Sequence, residues 1–300
     1  MKRRENRPQK VNAEQGKIKR KSALFLAPSI LGVSLFFVLP FFVVIFYALV
    51  NNPIQHKFVF LKNFTNVLNN SAFRLAAANT FKFSMIAVPL VVVLSMILAF
   101  ALDAAIPFKS QMRTLLLSPM MVPIASVVLI WQVLFHYNGV VNEFMTFWGG
   151  TQIDWFKSDY AQVVLVLLFL WKNLGYNMIL FMAAISNIPK EIIEVAELES
   201  AKRWQIFLYI KTRYLSSTIL FVTILSVINS FKVFREVYML TGEYPYDSLY
   251  LLQHFMNNTF NSLDYQKLSA AAILMSLVMI ILIGLLFLVE NYFGKDLEEA

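Results

Sequence analysis

Long apolar runs separated by short polar stretches dominate the chain and predict six helical spans. They lie near residues 23–50, 79–102, 115–136, 161–186, 215–238 and 268–291. About 20 apolar residues cross a ~30 Å hydrocarbon layer as a helix. A helix also satisfies its own backbone in lipid. The alternating pattern of a transmembrane barrel strand is not seen. No repeat of 20–50 residues and no linker divides the chain. The pattern predicts an all-α integral membrane protein with one membrane domain, 23–300, behind a polar tail, 1–22.

Composition agrees with this pattern. The chain is 58% hydrophobic and 15% charged, with 28 Phe, whereas an ordinary soluble domain carries about 25% charge. The net charge of +8 resembles a nucleic-acid signal until it is mapped. Nine Lys/Arg stand in residues 1–22 against Glu5 and Glu14. A basic tail before a hydrophobic span is a topology signal, and it does not read as a cleavable leader. With the N-terminus inside, the inner segments hold 17 Lys/Arg and the outer ones hold four, Lys57, Lys62, Arg74 and Lys157. Both termini are then expected in the cytoplasm. The outer loops, 51–78, 137–159 and 239–266, carry Trp148 and Trp155, with Tyr160 just after the second loop, residues suited to a membrane interface.

Candidate chemistry is sparse. The chain has no Cys, which excludes disulfides and thiolate sites. His56, His136 and His254 lack metal-ligand spacing. No nucleotide-cradling glycine loop, G-x-S-x-G or H-E-x-x-H occurs. If ATP powers this protein, another subunit must bind it. Lys82, Lys172, Lys232 and Arg235, with Glu236 beside the last, are the exceptional charges in the spans. No acid reads as lying at mid-depth, which weakens an ion-coupled carrier. Lys172, next to Trp171 and Asn173, is expected to face a cavity or a partner.

One polar segment between the fourth and fifth spans stands out. Glu191, Glu194, Glu197 and Glu199 fall within nine residues, and Ile192, Ile193, Val195, Ala196 and Leu198 form an apolar side. Pro189 fits a first helical turn, and the early acids suit the positive helix end. Lys202 and Arg203 follow, then Trp204, Phe207 and Ile210 lead towards span five. A surface-lying anchor on an anionic leaflet is usually rich in Lys/Arg rather than Glu. The pattern predicts a short cytoplasmic helix that a partner grips.

The same segment resembles the EAA loop of binding-protein-dependent ABC importer permeases. Glu194-Val195-Ala196 followed by Glu199-Ser200-Ala201 carries the match, with Ser200 where the family commonly has Gly and Thr212-Arg213 where it has Leu-Pro. Leu24-Phe-Leu-Ala-Pro28, Phe60-Leu-Lys-Asn-Phe64 and Asn79-Thr80 are similar to further family elements. So are Arg113-Thr-Leu-Leu-Leu-Ser-Pro119 with Val122-Pro123, Trp131 and Gly139-Val-Val-Asn142. Phe231-Lys-Val-Phe234 and Thr241-Gly242, with Pro245, complete the series; Glu243 and Tyr244 replace the usual Gly. Their common order points to the carbohydrate-type group of maltose, lactose and glycerol-phosphate permeases.

The resemblance implies a type I ABC importer permease fold with six transmembrane helices and a coupling-helix loop, 187–214, in a bacterial cytoplasmic membrane. It implies no catalysis and no cofactor in this chain, with ATP and Mg on separate cytoplasmic ATPase subunits. The other implied partners are a second, related permease and an extracellular solute-binding protein. Glu191, Glu194, Ala196, Glu197, Glu199, Ser200 and Ala201 would couple to the ATPase. Met120, Ile124, Trp171, Leu174, Gly175, Ser226 and Ser230 would line the solute path. Asn173, Asn177 and Asn229 are added as hydrogen-bonding groups. The solute would be a sugar or oligosaccharide, with glycerol-phosphate or another polar solute as the alternative. An ion-coupled transporter and a non-transporting scaffold are the readings from other classes.

Overall fold

In the computed structural model, residues 25–52, 54–103 and 107–294 are described, with side chains as far as 291. The basic tail predicted over 1–22 lies outside them. Helices in chain order are α1 (Phe25–Leu49), α2 (Lys62–Asn69), α3 (Ser71–Asp103), α4 (Lys109–Met121), α5 (Ile124–Leu134) and α6 (Val140–Phe147). Then come α7 (Ala161–Ser186), α8 (Lys190–Leu198), α9 (Ser216–Lys232), α10 (Phe234–Thr241), α11 (Leu252–Asn261) and α12 (Tyr265–Gly294). Among the described residues five helical stretches are long and apolar enough to cross a membrane, or six with α4 and α5 counted as one bent span. The chain is an all-α, multi-pass membrane protein.

Two spans depart from the sequence expectation. The third is not one helix: α4 and α5 meet at 101°. Pro123 disfavours a helical conformation at the residue before it, and Val122 is extended at φ −77°, ψ 129°. The second span begins eight residues before the expected Asn79, at Ser71. Asn70 Oδ1 accepts the Phe73 N–H at 3.1 Å, an N-terminal cap that offsets the polar character of the first turns.

The chain divides into two compact units. Of the described residues, one comprises 25–52 and 54–67 with 264–274. In it Asn63 Nδ2 donates to the carbonyls of Ala48 and Val50 at 2.9 Å each, tying α2 to the end of α1. Phe36 and Phe37 of α1 are more than two-thirds exposed, as expected of a helix bathed in lipid tails, where exposure of apolar side chains has no cost.

The other unit comprises, of the described residues, 68–103 and 107–263 with 275–294. Its core is built from α3, α7 and α9, with Phe83, Ala87 and Val91 against Phe169, Met178 and Phe181, and Val222 and Val227 beside them. Phe83 meets Phe169 edge-to-face at 5.5 Å, the arrangement that aligns ring edge with ring face. A second cluster joins Val127, Trp131 and Phe135 of α5 to Val164 and Leu168 of α7. In the outer segment after α5, Asn142 is fully buried. It donates to Tyr137 O and Ile153 O, and accepts from Ile153 N–H and Trp155 Nε1. Every hydrogen-bonding site of that amide is used, so the segment is a built structure rather than a slack loop.

Candidate functional site

The polar segment folds as a helix, a tight turn and a second helical stretch. Pro189 precedes α8 with ψ 129°, and Glu191 lies in its first turn. Glu191, Glu194, Val195 and Leu198 stand at helical spacing on one face, and all four are exposed; Leu198 is 86% exposed. Glu197 and Glu199 are exposed too. Ala196 alone in α8 is buried, and α8 lies against the π-helical segment Ile206–Lys211. A helix that buries one alanine and presents a mixed acidic and apolar face has more contact surface than its own chain uses.

The turn explains the Ser200 substitution. Ala201 N–H donates to Ala196 O and Ser200 N–H to Glu197 O, both at 3.0 Å. These two bonds define a Schellman termination, whose C′ residue takes the left-handed conformation. Ser200 occupies that position at φ 61°. The helix therefore ends where a glycine would end it, with the extra cost of a Cβ in the left-handed region. After Ala201, the Gln205 side chain accepts the Lys202 N–H at 2.8 Å and starts the next helical stretch.

A second candidate site is a cavity of about 340 Å³. Its walls come from the α4–α5 break, α7, α9 and α10. Met120 and Ile124 flank the break, and Asn173 and Asn229 face each other, with Asn229 Nδ2 donating to Asn173 Oδ1 at 3.1 Å. Lys172, Lys232, Arg235 and Glu236 also line it. Lys172 Nζ forms an ion pair with Glu236 Oε1. Glu236 is only 3% exposed, and its Oε2 has no hydrogen-bond partner.

Thus the structure brings together four of the ten path residues: Met120, Ile124, Asn173 and Asn229. The remaining six lie elsewhere. Asn177 Nδ2 donates to Ser226 Oγ at 2.9 Å, both side chains buried between α7 and α9. Buried Ser230 shares a hydrogen bond with Ser84 of α3 at 2.9 Å. Gly175 is pressed against the backbone of α4, Leu174 packs on the main core, and Trp171 meets Trp131 edge-on at 6.3 Å. Such contacts between small and polar side chains hold helices together in lipid.

Glu236, near the end of its own apolar span, is brought by this ion pair to Lys172 of α7. Lys172 sits near the middle of the 26-residue α7, and the carboxylate of Glu236 is held at that level. The two residues are 64 positions apart, so no local spacing announces the pair. The only signal in the sequence is a pair of opposite charges on apolar spans. Among the described residues no group of three His, Cys, Asp or Glu is placed to hold a metal ion.

Residues 92–299 match the family model described as "Binding-protein-dependent transport system inner membrane component". The lactose transport system permease protein LacF of Rhizobium radiobacter is 27% identical over 281 residues, 91% of this chain and 93% of that protein. The sulfoquinovosyl glycerol transport system permease protein SmoG of Agrobacterium fabrum is 30% identical over 263 residues, 85% of each. Among solved structures, a chain of a bacterial ABC transporter involved in import of the acidic polysaccharide alginate superimposes with a TM-score of 0.80. Identity there is 19%, with 95% of this chain and 99% of that one covered.

Proposed function

Because this chain belongs to the binding-protein-dependent inner membrane components, within the carbohydrate-type ABC importer permeases, we propose that it forms half of a sugar or oligosaccharide translocation path. A second, related permease forms the other half. An extracellular solute-binding protein delivers the solute, and cytoplasmic ATPase subunits with ATP and Mg supply the energy. The chain is a transport protein and not an enzyme. It sits in a bacterial cytoplasmic membrane with both termini inside, the orientation favoured by the Lys/Arg asymmetry.

The observation that carries the coupling role is the exposed acidic and apolar face of α8, ended by the tight turn at Ser200. Residues 189–204 seat in the ATPase, with Glu194, Ala196 and Ser200 nearest the partner, and transmit its closure to the spans. The Glu194→Lys variant should assemble but uncouple ATP hydrolysis from uptake in reconstituted vesicles. Survival of both uptake and solute-stimulated hydrolysis would refute the coupling role. Co-purification separates the other classes. An ion-coupled carrier transports alone without ATP, and a scaffold shows no solute-stimulated hydrolysis.

A further inference from the structure

The cavity between the α4–α5 break, α7, α9 and α10 has an unbalanced charge. Three cations, Lys172, Lys232 and Arg235, line it with one acid, Glu236. Lys172 is already paired with Glu236, so those charges largely cancel. Lys232 and Arg235 have no ion-pair partner among the described residues. They lie three residues apart across Val233, whose backbone stays helical at φ −62°, ψ −12°. Both are exposed at the mouth of the cavity, and unpaired cations on a membrane span usually serve a path or partner. Glu236 Oε2 has no exposed surface, so the cations and not this acid face whatever the cavity holds.

We propose that this cavity is a subsite for an anionic saccharide, whose acid group is held by Lys232 and Arg235 while its carbon ring lies on the apolar wall at Met120 and Ile124. The inference rests on the transport reading above and narrows its solute class. A neutral sugar would leave both cations uncompensated. A small inorganic anion would neutralise the cations but would leave the apolar wall at Met120 and Ile124 uncovered. A molecule bearing a carbon ring and a carboxylate, phosphate or sulfonate meets both demands. Arg235 can hold any of these acid groups through two parallel N–H donors. The volume, about 340 Å³, falls within the ~300–1,000 Å³ of ordinary ligand pockets, enough for one or a few sugar units rather than a long chain.

The test uses the native complex, purified through a tag on this chain and reconstituted in vesicles with its binding protein. Uptake is compared for uronate oligosaccharides, their neutral methyl esters, sugar phosphates and neutral oligosaccharides. The proposal expects at least one acidic solute to be taken up in preference to its neutral counterpart. Lys232→Gln and Arg235→Gln should each cut that preference by roughly 10- to 100-fold, the loss expected for a charge-assisted hydrogen bond. Lys232→Arg and Arg235→Lys should retain most of it. Lys82→Gln, on exposed α3 surface outside the cavity, removes the same charge and should retain all of it. Uptake confined to neutral sugars, or an acid preference untouched by both Gln variants, overturns the proposal while leaving the permease reading intact. Failure to take up any saccharide overturns both. If the Gln variants lose the co-purifying permease but whatever assembles keeps its acid preference, the cations are interface residues and the proposal fails.

Discussion

A Cβ added to Gly175 would lie 1.8 Å from the backbone oxygen of Leu116. The close approach of α4 to α7 therefore depends on the absence of a side chain at 175, and it fixes where the α4–α5 break meets the cavity. Gly175→Ala gains roughly 1 kcal/mol of helix propensity, but the clash is with backbone and cannot be relieved by a rotamer change. We expect a net loss of about 1–3 kcal/mol, the range for overpacking. The check is thermal unfolding of the detergent-solubilised protein, with Gly284→Ala, where a Cβ meets nothing within 4 Å, as the comparison that carries the propensity gain without the clash.

The Lys172–Glu236 pair should show strong non-additivity. Lys172→Met leaves a 3% exposed carboxylate without its cation and is expected to cost about 3–5 kcal/mol, as for other broken buried pairs. Glu236→Gln should cost less, because the Lys172 side chain remains 28% exposed and can reach water. The double variant should recover most of the loss, since it removes both buried charges. Unfolding free energies of the four proteins form the cycle; additive single effects would mean the pair is not coupled.

The spans and the α8 helix were legible because each is a local pattern: an apolar run long enough for lipid, or acids and apolar residues at helical spacing beside Pro189. The α4–α5 bend was half-legible. Pro119 and Pro123 stand in the run and a proline interrupts a helix, but the angle depends on how α5 packs Trp131 and Phe135 onto α7. The partition of polar residues between cavity and helix contact was not legible. Asn173 and Asn177 lie on the same helix, one turn apart, yet Asn173 faces the cavity and Asn177 is buried against Ser226. Hydrogen-bonding capacity is identical in the two; only the neighbouring helix decides between them.

Ser200 holds a left-handed backbone at φ 61°, which costs an L-residue roughly 1–2 kcal/mol. Ser200→Gly removes that cost, partly offset by the greater entropy of an unfolded glycine. The turn should become more stable by about 0.5–1 kcal/mol. Ser200→Val, β-branched at the same φ, should destabilise it and loosen the Ala201 to Ala196 bond. Hydrogen exchange at the Ser200 and Ala201 amides reports both changes directly: slower exchange in the Gly variant, faster in the Val variant.

His254 makes the protein acid-sensitive. The ring is fully buried in α11, its Nδ1 accepts the Leu251 N–H at 3.2 Å, and its Nε2 has no partner. It packs edge-on against Phe234 at 4.7 Å, and burial lowers its pKa from 6.5 to about 4. Between those values the unfolded chain binds a proton that the folded chain refuses. Stability is therefore fully present above pH 6.5 and is lost as pH falls towards 4. The loss is on the order of 3 kcal/mol over that window. Protonation also removes the acceptor that caps Leu251, so the start of α11 should loosen first. His254→Gln keeps an acceptor at the capping position but does not titrate. Its absolute stability will be lower because the ring's contacts are gone, but this contribution to the slope of stability against pH should vanish. Thermal unfolding in detergent from pH 7.5 to 4 measures both slopes, and equal slopes would remove His254 as the source of the acid sensitivity.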